Sequence, residues 1–99
     1  MESKNTTCEN SIEKRLVTEV KRVGGWCLKL PAIHNAGLPD RLCLFPGGEV
    51  VFVELKAFGK KPRKIQTLMH QKLKAMCFRV EVIDTTMGCK MLALEYDRK

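Results

Sequence analysis

The chain has 99 residues, 44% of them apolar, which suits one domain with a single modest core. Its formal net charge of +7 and its pI near 9.4 favour a polyanionic partner such as nucleic acid. No apolar run approaches the roughly 18 residues of a membrane-spanning helix and the first residues do not resemble a signal peptide, so we expect neither membrane insertion nor secretion.

Five cysteines are spread along the chain without a Cys-x-x-Cys pair, and neither His34 nor His70 lies near a suitable cysteine in sequence. The odd number argues against a secreted disulfide framework, and the spacing argues against structural zinc. We therefore expect reduced thiols and a cytoplasmic protein, in the host cytoplasm for a viral chain.

The first predicted element is an amphipathic helix that follows a flexible N-terminus at residues 1–8. Thr6 or Thr7 offers an N-cap, and the glycine pair at 24–25 ends the helix. Its apolar stripe has helical spacing and consists of Ile12, Leu16, Val20 and Val23. A single domain is expected over residues 9–99.

Three short strands are predicted after this helix, because apolar and β-branched residues are bounded by Gly and Pro. They cover residues 26–30, 41–45 and 50–56. A loop at 32–39 connects the first two, and a Pro-Gly-Gly turn at 46–49 joins the last two into a hairpin.

The second half of the chain begins with a loop at 57–64 that is rich in Gly, Pro and basic residues. A helix is predicted over 63–77, with apolar side chains on one side at Ile65, Leu68, Met69, Leu73 and Met76. The alternation in 78–83 indicates a half-buried strand, and 84–88 a turn.

The last segment, residues 89–96, fits either a short helix or an edge strand, and we favour the helix although Gly88 weakens it. The predicted order is α-β-β-β-α-β-α, an α/β fold with one mixed sheet flanked by helices.

Two carboxylates and a lysine lie on or beside strands that are otherwise apolar. Glu54 and Lys56 are two residues apart on the third strand, so their side chains share a face. Asp40 directly precedes the second strand, and the hairpin can bring it beside Glu54. Taken singly, Asp40 fits a turn residue and the other two fit a surface ion pair worth at most about 1 kcal/mol.

Taken together, the three side chains indicate a site for a divalent cation. Mg²⁺ or Mn²⁺ takes hard oxygen ligands, often one or two carboxylates with a substrate phosphate. Such a cation activates water and, with a lysine ammonium, stabilises the charge that develops on a phosphate under attack. The chemistry indicated is phosphodiester hydrolysis.

Asp40 followed by Glu54-x-Lys56 also matches the PD-(D/E)xK nuclease signature. A longer set of motifs resembles the virus-type replication-repair nuclease (VRR-NUC) family, from about residue 9 to residue 84. These motifs are Gly37-Leu-Pro-Asp-Arg41, the Pro-Gly-Gly turn, Phe52-Val-Glu-Leu-Lys-Ala57 and Pro62-Arg-Lys-Ile-Gln66. The resemblance implies a restriction-endonuclease-like core in a stand-alone nuclease of viral or phage type.

The resemblance also implies roles for individual residues. Asp40 and Glu54 would be metal ligands together with the backbone carbonyl of Leu55, and Lys56 would orient or polarise the attacking water. Gln66 matches the family's glutamine, which supports the lysine or the nucleophile. Mg²⁺ is the expected cofactor, and Mn²⁺ is expected to substitute for it.

Families of this fold carry a further glutamate on the first helix. Glu13 fits the wider resolvase-like pattern and is our choice, while Glu9 lies closer to the centre of the apolar stripe and remains the alternative. Basic side chains expected to contact DNA phosphates are Lys29, Lys60, Lys61, Arg63 and Lys64.

We therefore expect a metal-dependent DNA endonuclease, acting on branched DNA such as Holliday junctions in replication or repair. The similarity to archaeal junction resolvases suggests a homodimer, which suits a two-fold symmetric junction, and a helicase or another replication protein is a further partner compatible with this setting. The alternatives are a catalytically silent DNA-binding module and a sequence-specific restriction-type nuclease.

Overall fold

A computed structural model describes residues 8–31 and 36–97. The described residues do not include 1–7, which hold most of the predicted flexible N-terminus and the N-caps proposed at Thr6 and Thr7. His34 also lies outside them. Cys8 itself occupies the N-cap position of the first helix. The helices are α1 (Glu9–Arg22), α2 (Lys64–Ala75) and α3 (Thr86–Leu94), and the strands are β1 (Trp26–Lys29), β2 (Arg41–Phe45), β3 (Glu49–Leu55) and β4 (Arg79–Ile83).

The four strands form one mixed sheet in the order β1-β2-β3-β4. β1, β2 and β3 are successively antiparallel, whereas β3 and β4 are parallel because α2 carries the chain back between them. The register places Arg41 opposite Val53 and Glu54 beside Val82.

The core lies between the sheet and α1, because the predicted stripe of α1 faces inward. Ile12, Leu16 and Val20 are fully buried and pack against one face of the sheet. That face is formed by alternate residues of β2 and β3, and the buried residues of α3 join it: Cys43, Phe45, Val51, Val53, Leu55, Cys89 and Leu92. Helices α1 and α3 therefore share one side of the sheet, and α2 occupies the other.

The predicted apolar side of α2 is only partly the side that is buried. Ile65, Leu68 and Met76 are exposed, whereas Gln66 and His70 are buried with Leu73. The physical reason is the polar side chain of Glu54, which points toward α2 from near the end of β3. The polar partners of this carboxylate face inward, and three of the five predicted apolar residues are left in solvent.

The predicted turn at residues 84–88 is also partly wrong, because α3 begins at Thr86. Thr85 is the N-cap, and its side-chain oxygen accepts a hydrogen bond from the backbone N–H of Gly88 at 2.9 Å. The helix predicted for the last segment is present, and its first turn contains the glycine that argued against it. Among the described residues, no helix has the length and apolar character needed to cross a bilayer.

Candidate active site

Asp40 lies at the end of the sheet where β2 begins. Its backbone carbonyl accepts a hydrogen bond from the N–H of Leu30, and its Oδ2 accepts one from the N–H of Leu55 at 2.7 Å. The second bond fixes the Asp40 carboxylate to the final residue of β3, directly after Glu54. The hairpin thus places the two carboxylates at the same end of the sheet, as the sequence predicted.

Glu54 is the central group of the site and is only 1% exposed. Its Oε2 accepts a hydrogen bond from Gln66 Nε2 at 2.7 Å and forms an ion pair with Lys56 Nζ at 3.2 Å. Its Oε1 is buried and accepts no hydrogen bond within the described part of the chain. A buried carboxylate oxygen without a donor is costly, so this atom is ready to bind a cation.

Gln66 holds Glu54 in place from the first turn of α2. Its Oε1 accepts the backbone N–H of Arg63 at 2.8 Å, so one of the unpaired donors at the helix start is satisfied. This bond orients the amide so that Nε2 points to Glu54. Gly37 lies before β2 and packs closely against the start of α2. A Cβ at this position would lie 2.7 Å from the carbonyl oxygen of Ile65, so glycine permits this contact.

His70 is a site residue to which the sequence analysis gave no role. It lies four residues after Gln66, one turn along the same buried face of α2, and this spacing was the available signal. Its Nε2 is 3.9 Å from Glu54 Oε1, and neither atom has a hydrogen-bond partner in the described residues. Burial lowers the pKa of His70, and the nearby charges of Lys74 and Lys56 lower it further.

The electrostatics of the site favour a bound cation. Burial raises the pKa of Glu54, and the charge of Asp40 raises it further, while Lys56 opposes both effects; Glu9 contributes in the same direction as Asp40. The site therefore carries negative charge that Lys56 alone does not offset. A divalent cation beside Asp40 and Glu54 would remove the repulsion between them.

Glu13 does not join this cluster. Its carboxylate binds Arg41 Nη2 at 2.7 Å and Lys29 Nζ at 3.1 Å, on the face of the sheet that α1 covers. Burial raises the pKa of Glu13, but the hydrogen bonds from Lys29 and Arg41 together outweigh burial and lower it. Of the two candidates on the first helix, Glu9 is the one whose charge raises the pKa of Glu54.

Comparison with known proteins identifies the arrangement. No family model matches the chain. Over 77 residues it is 44% identical to "Putative nuclease p44" of Acyrthosiphon pisum secondary endosymbiont phage 1, covering 78% of this chain and 83% of that protein. A solved structure described as "VRR_NUC domain" is similar with a TM-score of 0.80 and 27% identity, covering 89% of this chain and 96% of that chain. This chain belongs to the VRR-NUC family. The resemblance and the fold class predicted from the sequence are thus confirmed.

The VRR-NUC site is bordered by the predicted basic segment. Its four basic side chains are exposed and lie between the end of β3 and the first residue of α2: Lys60, Lys61, Arg63 and Lys64. Positive charge beside the two carboxylates suits a substrate whose phosphates must approach them. Lys29 lies apart from this segment, exposed on β1 and paired with Glu13.

The donor set fits Mg²⁺ or Mn²⁺. No group of three or more His, Cys, Asp or Glu side chains among residues 8–31 and 36–97 is placed to hold a metal ion. The side-chain ligands would then be Asp40 and Glu54 alone, and the Oε1 atom of Glu54 has no competing donor. Mg²⁺ commonly binds proteins through one or two carboxylates and completes its shell with water and substrate phosphate.

Proposed function

We propose that this VRR-NUC protein is a metal-dependent endonuclease that hydrolyses phosphodiester bonds in DNA. The observation that carries the proposal is the buried carboxylate of Glu54. Gln66 and Lys56 hold one of its oxygens, and the other has no hydrogen-bond donor in the described residues. Buried polar atoms are normally hydrogen-bonded, so an unpaired carboxylate oxygen in the interior indicates a ligand-binding role.

In the proposed reaction Asp40, Glu54 and the backbone carbonyl of Leu55 would hold a Mg²⁺ ion. When bound, this ion supplies Lewis-acid polarisation of a phosphate oxygen and lowers the pKa of a coordinated water. Lys56 has a side chain that is 15% exposed, so its ammonium can reach a phosphate or an attacking water while it remains near Glu54. There it stabilises negative charge as that charge develops.

The remaining residues position these groups and the substrate. Gln66 fixes the rotamer of Glu54, because its amide is itself fixed by the backbone of Arg63. The basic segment at 60–64 binds the DNA backbone through its charges and so contributes affinity without base recognition. Glu9 is the acidic residue of α1 that we assign to the site, in place of Glu13.

We further propose that the substrate is branched DNA in replication or repair and that two copies of the chain act together. A domain of 99 residues offers little surface for reading a defined duplex sequence. Two identical sites suit a substrate with two-fold symmetry.

Helix α3 supports the pairing of two copies. Met87, Met91 and Leu94 recur along it at helical spacing and are 61%, 56% and 51% exposed. Lys90 is the only charged residue among the nine of this helix. Two chains that each carry a charge of +7 repel one another, so a weakly charged apolar face is the favourable place for them to meet.

The test of the nuclease proposal compares a four-way junction, a linear duplex of the same sequence and a single strand in Mg²⁺. Paired cuts across the junction by the wild-type protein, lost in Glu54→Gln, are the expected result. Binding without cleavage of any substrate in Mg²⁺ or Mn²⁺ would show a DNA-binding module instead. Cleavage confined to one duplex sequence would show a restriction-type enzyme.

The test of the pairing is sedimentation at the protein concentration used for cleavage. We expect a dimer for the wild-type chain and for Lys90→Ala, and a monomer for Met91→Glu. A wild-type monomer, or a dimer that survives Met91→Glu, would contradict the role of α3.

A further inference from the structure

A tight turn follows Lys56 directly and presents an aromatic side chain beside the site. The N–H of Lys60 donates to the carbonyl of Ala57 at 3.0 Å, and Gly59 has a φ of 81°, as the third position of a type II turn requires. The N–H of Gly59 also donates to Asp84 Oδ2 at 3.0 Å, which ties the turn to the segment after β4. Phe58 occupies the second position of this hydrogen-bonded turn.

Phe58 is 58% exposed, and the other exposed aromatic residues in the described chain are Trp26 at 65% and Phe78 at 42%. Phe45 stacks on Tyr96 with centroids 4.2 Å apart, and Phe52 meets Phe78 edge-on at 5.6 Å. Within residues 8–31 and 36–97, the aromatic residues outside these two pairs are Phe58 and Trp26, and both are exposed.

Phe58 and Trp26 differ in their position relative to the carboxylates. Phe58 is two residues from Lys56, so their Cα atoms are at most about 7 Å apart. Trp26 pairs with Leu44, toward the other end of β2. Leu44 is four residues, or about 13 Å along the strand, from Asp40. The two side chains therefore form a matched pair of exposed aromatics, one beside the site and one remote from it.

The surroundings of Phe58 identify the ligand class. The basic segment 60–64 begins two residues after it, and positive charge interleaved with an exposed ring is the composition that binds unpaired nucleotides. The charges follow the phosphates, and the ring offers a surface on which a base can stack. A base inside a continuous duplex already stacks on its neighbours, so it cannot offer a free face to the ring.

We propose that Phe58 stacks on an unpaired nucleobase adjacent to the phosphate that is cleaved, an inference that rests on the proposed nuclease function. The stack positions the strand so that this phosphate reaches Asp40 and Glu54. It also favours DNA in which the face of a base is free, because the base is unpaired in a single strand or has lost a stacking neighbour at a branch point. Phe58 is thus a positioning and specificity-determining residue.

The test uses the full chain and single-stranded 20-nucleotide DNA with 2-aminopurine, whose fluorescence falls when it stacks. Cleavage in Mg²⁺ first maps the cut on this strand or, where it is not cut, on a four-way junction, and 2-aminopurine is then placed on each side of the cut for binding in Ca²⁺. We expect quenching by the wild-type protein at one of these positions. In Phe58→Ala this quenching should disappear, and affinity should fall by about 5- to 100-fold.

Matched variants separate stacking from general apolar contact. Phe58→Trp should restore quenching and affinity, Phe58→Leu should not, and Trp26→Ala should leave both at the wild-type level. Equal quenching by the wild-type and Phe58→Ala proteins, or full recovery by Phe58→Leu, would overturn the proposal. In that outcome a wild-type protein that still cleaves, and a Glu54→Gln protein that does not, would leave the nuclease function intact.

Discussion

Replacing Glu54 with Gln should stabilise the metal-free protein while it abolishes cleavage. The glutamine keeps an oxygen for Gln66 and gains an N–H that can donate toward His70, whose Nε2 has no partner in the described residues and lies 3.9 Å from Glu54 Oε1. Burial and the charge of Asp40 raise the pKa of Glu54, so the charged form is unfavourable in the folded state. The substitution removes that unfavourable charge.

The size of the effect follows from the partners of the carboxylate. Relieving an unpaired buried polar group is worth about 1 to 3 kcal/mol. Losing the ion pair with Lys56 opposes this gain, but the pKa of Glu54 is raised by burial and by Asp40 even with Lys56 in place, so the charged form is disfavoured on balance. The net gain is therefore positive and below about 3 kcal/mol, and each 1 kcal/mol corresponds to a rise in Tm of about 4 to 8 °C for a domain of this length.

The effect also has a defined pH dependence. Because the folded-state pKa of Glu54 lies above its unfolded value, its protonated form adds stability at low pH, and this contribution is lost as the pH rises through the folded pKa. The Tm of Glu54→Gln should therefore approach that of the wild-type protein below about pH 4 and exceed it at neutral pH.

The assay is thermal unfolding followed by circular dichroism in EDTA from about pH 3 to pH 8, with cleavage in Mg²⁺ measured in parallel. Glu49→Gln, an exposed change at the start of the same strand, is the control and should shift neither Tm nor cleavage. A lower or unchanged Tm for Glu54→Gln at neutral pH would refute the electrostatic reasoning. Cleavage at the wild-type rate would refute the assignment of the site.

Three further outcomes are expected. Mg²⁺ should raise the Tm of the wild-type protein by ligand linkage and leave that of Asp40→Asn unchanged; equal shifts in both would place the ion elsewhere. Gln66→Leu removes a hydrogen bond to a buried carboxylate, worth about 1.5 to 3 kcal/mol, so both Tm and cleavage should fall, whereas exposed Gln71→Leu on the same helix should change neither. Lys61→Ala should weaken binding evenly across DNA sequences and reduce the slope of log affinity against log salt concentration by about 1. Lys21→Ala, at the far end of α1, should change neither. A loss of affinity for some sequences only would mean that the basic segment reads bases.

The sheet could be predicted from the sequence because its signals are local. Gly or Pro lies just before each of the first three strands, alternation marks the fourth, and the spacing of Glu54 and Lys56 alone puts them on one face. The stripe of α1 was equally clear, since its members recur along a single helix. These features depend on residues that are close in sequence.

The features that could not be predicted depend on long-range partners. Glu13 binds Arg41, which is 28 residues away, and no helical pattern reveals that contact. The inward face of α2 includes Gln66 and His70 because Glu54 faces it, so a periodicity argument that considers only α2 finds Leu73 but misses these two polar residues. At α3, the hydrogen bond from Gly88 to Thr85 offsets the low helix propensity of glycine.

The two hydrogen bonds of Gln66 give the protein a built-in reporter. The backbone N–H of Arg63 donates to the same amide that contacts Glu54, so a change at the carboxylate alters the electron density of the Gln66 oxygen and with it the shielding of that one proton. In a ¹⁵N-labelled sample the Arg63 resonance would follow the state of the acidic centre without an attached probe. Titrations with proton, metal and DNA could then be read at a single peak.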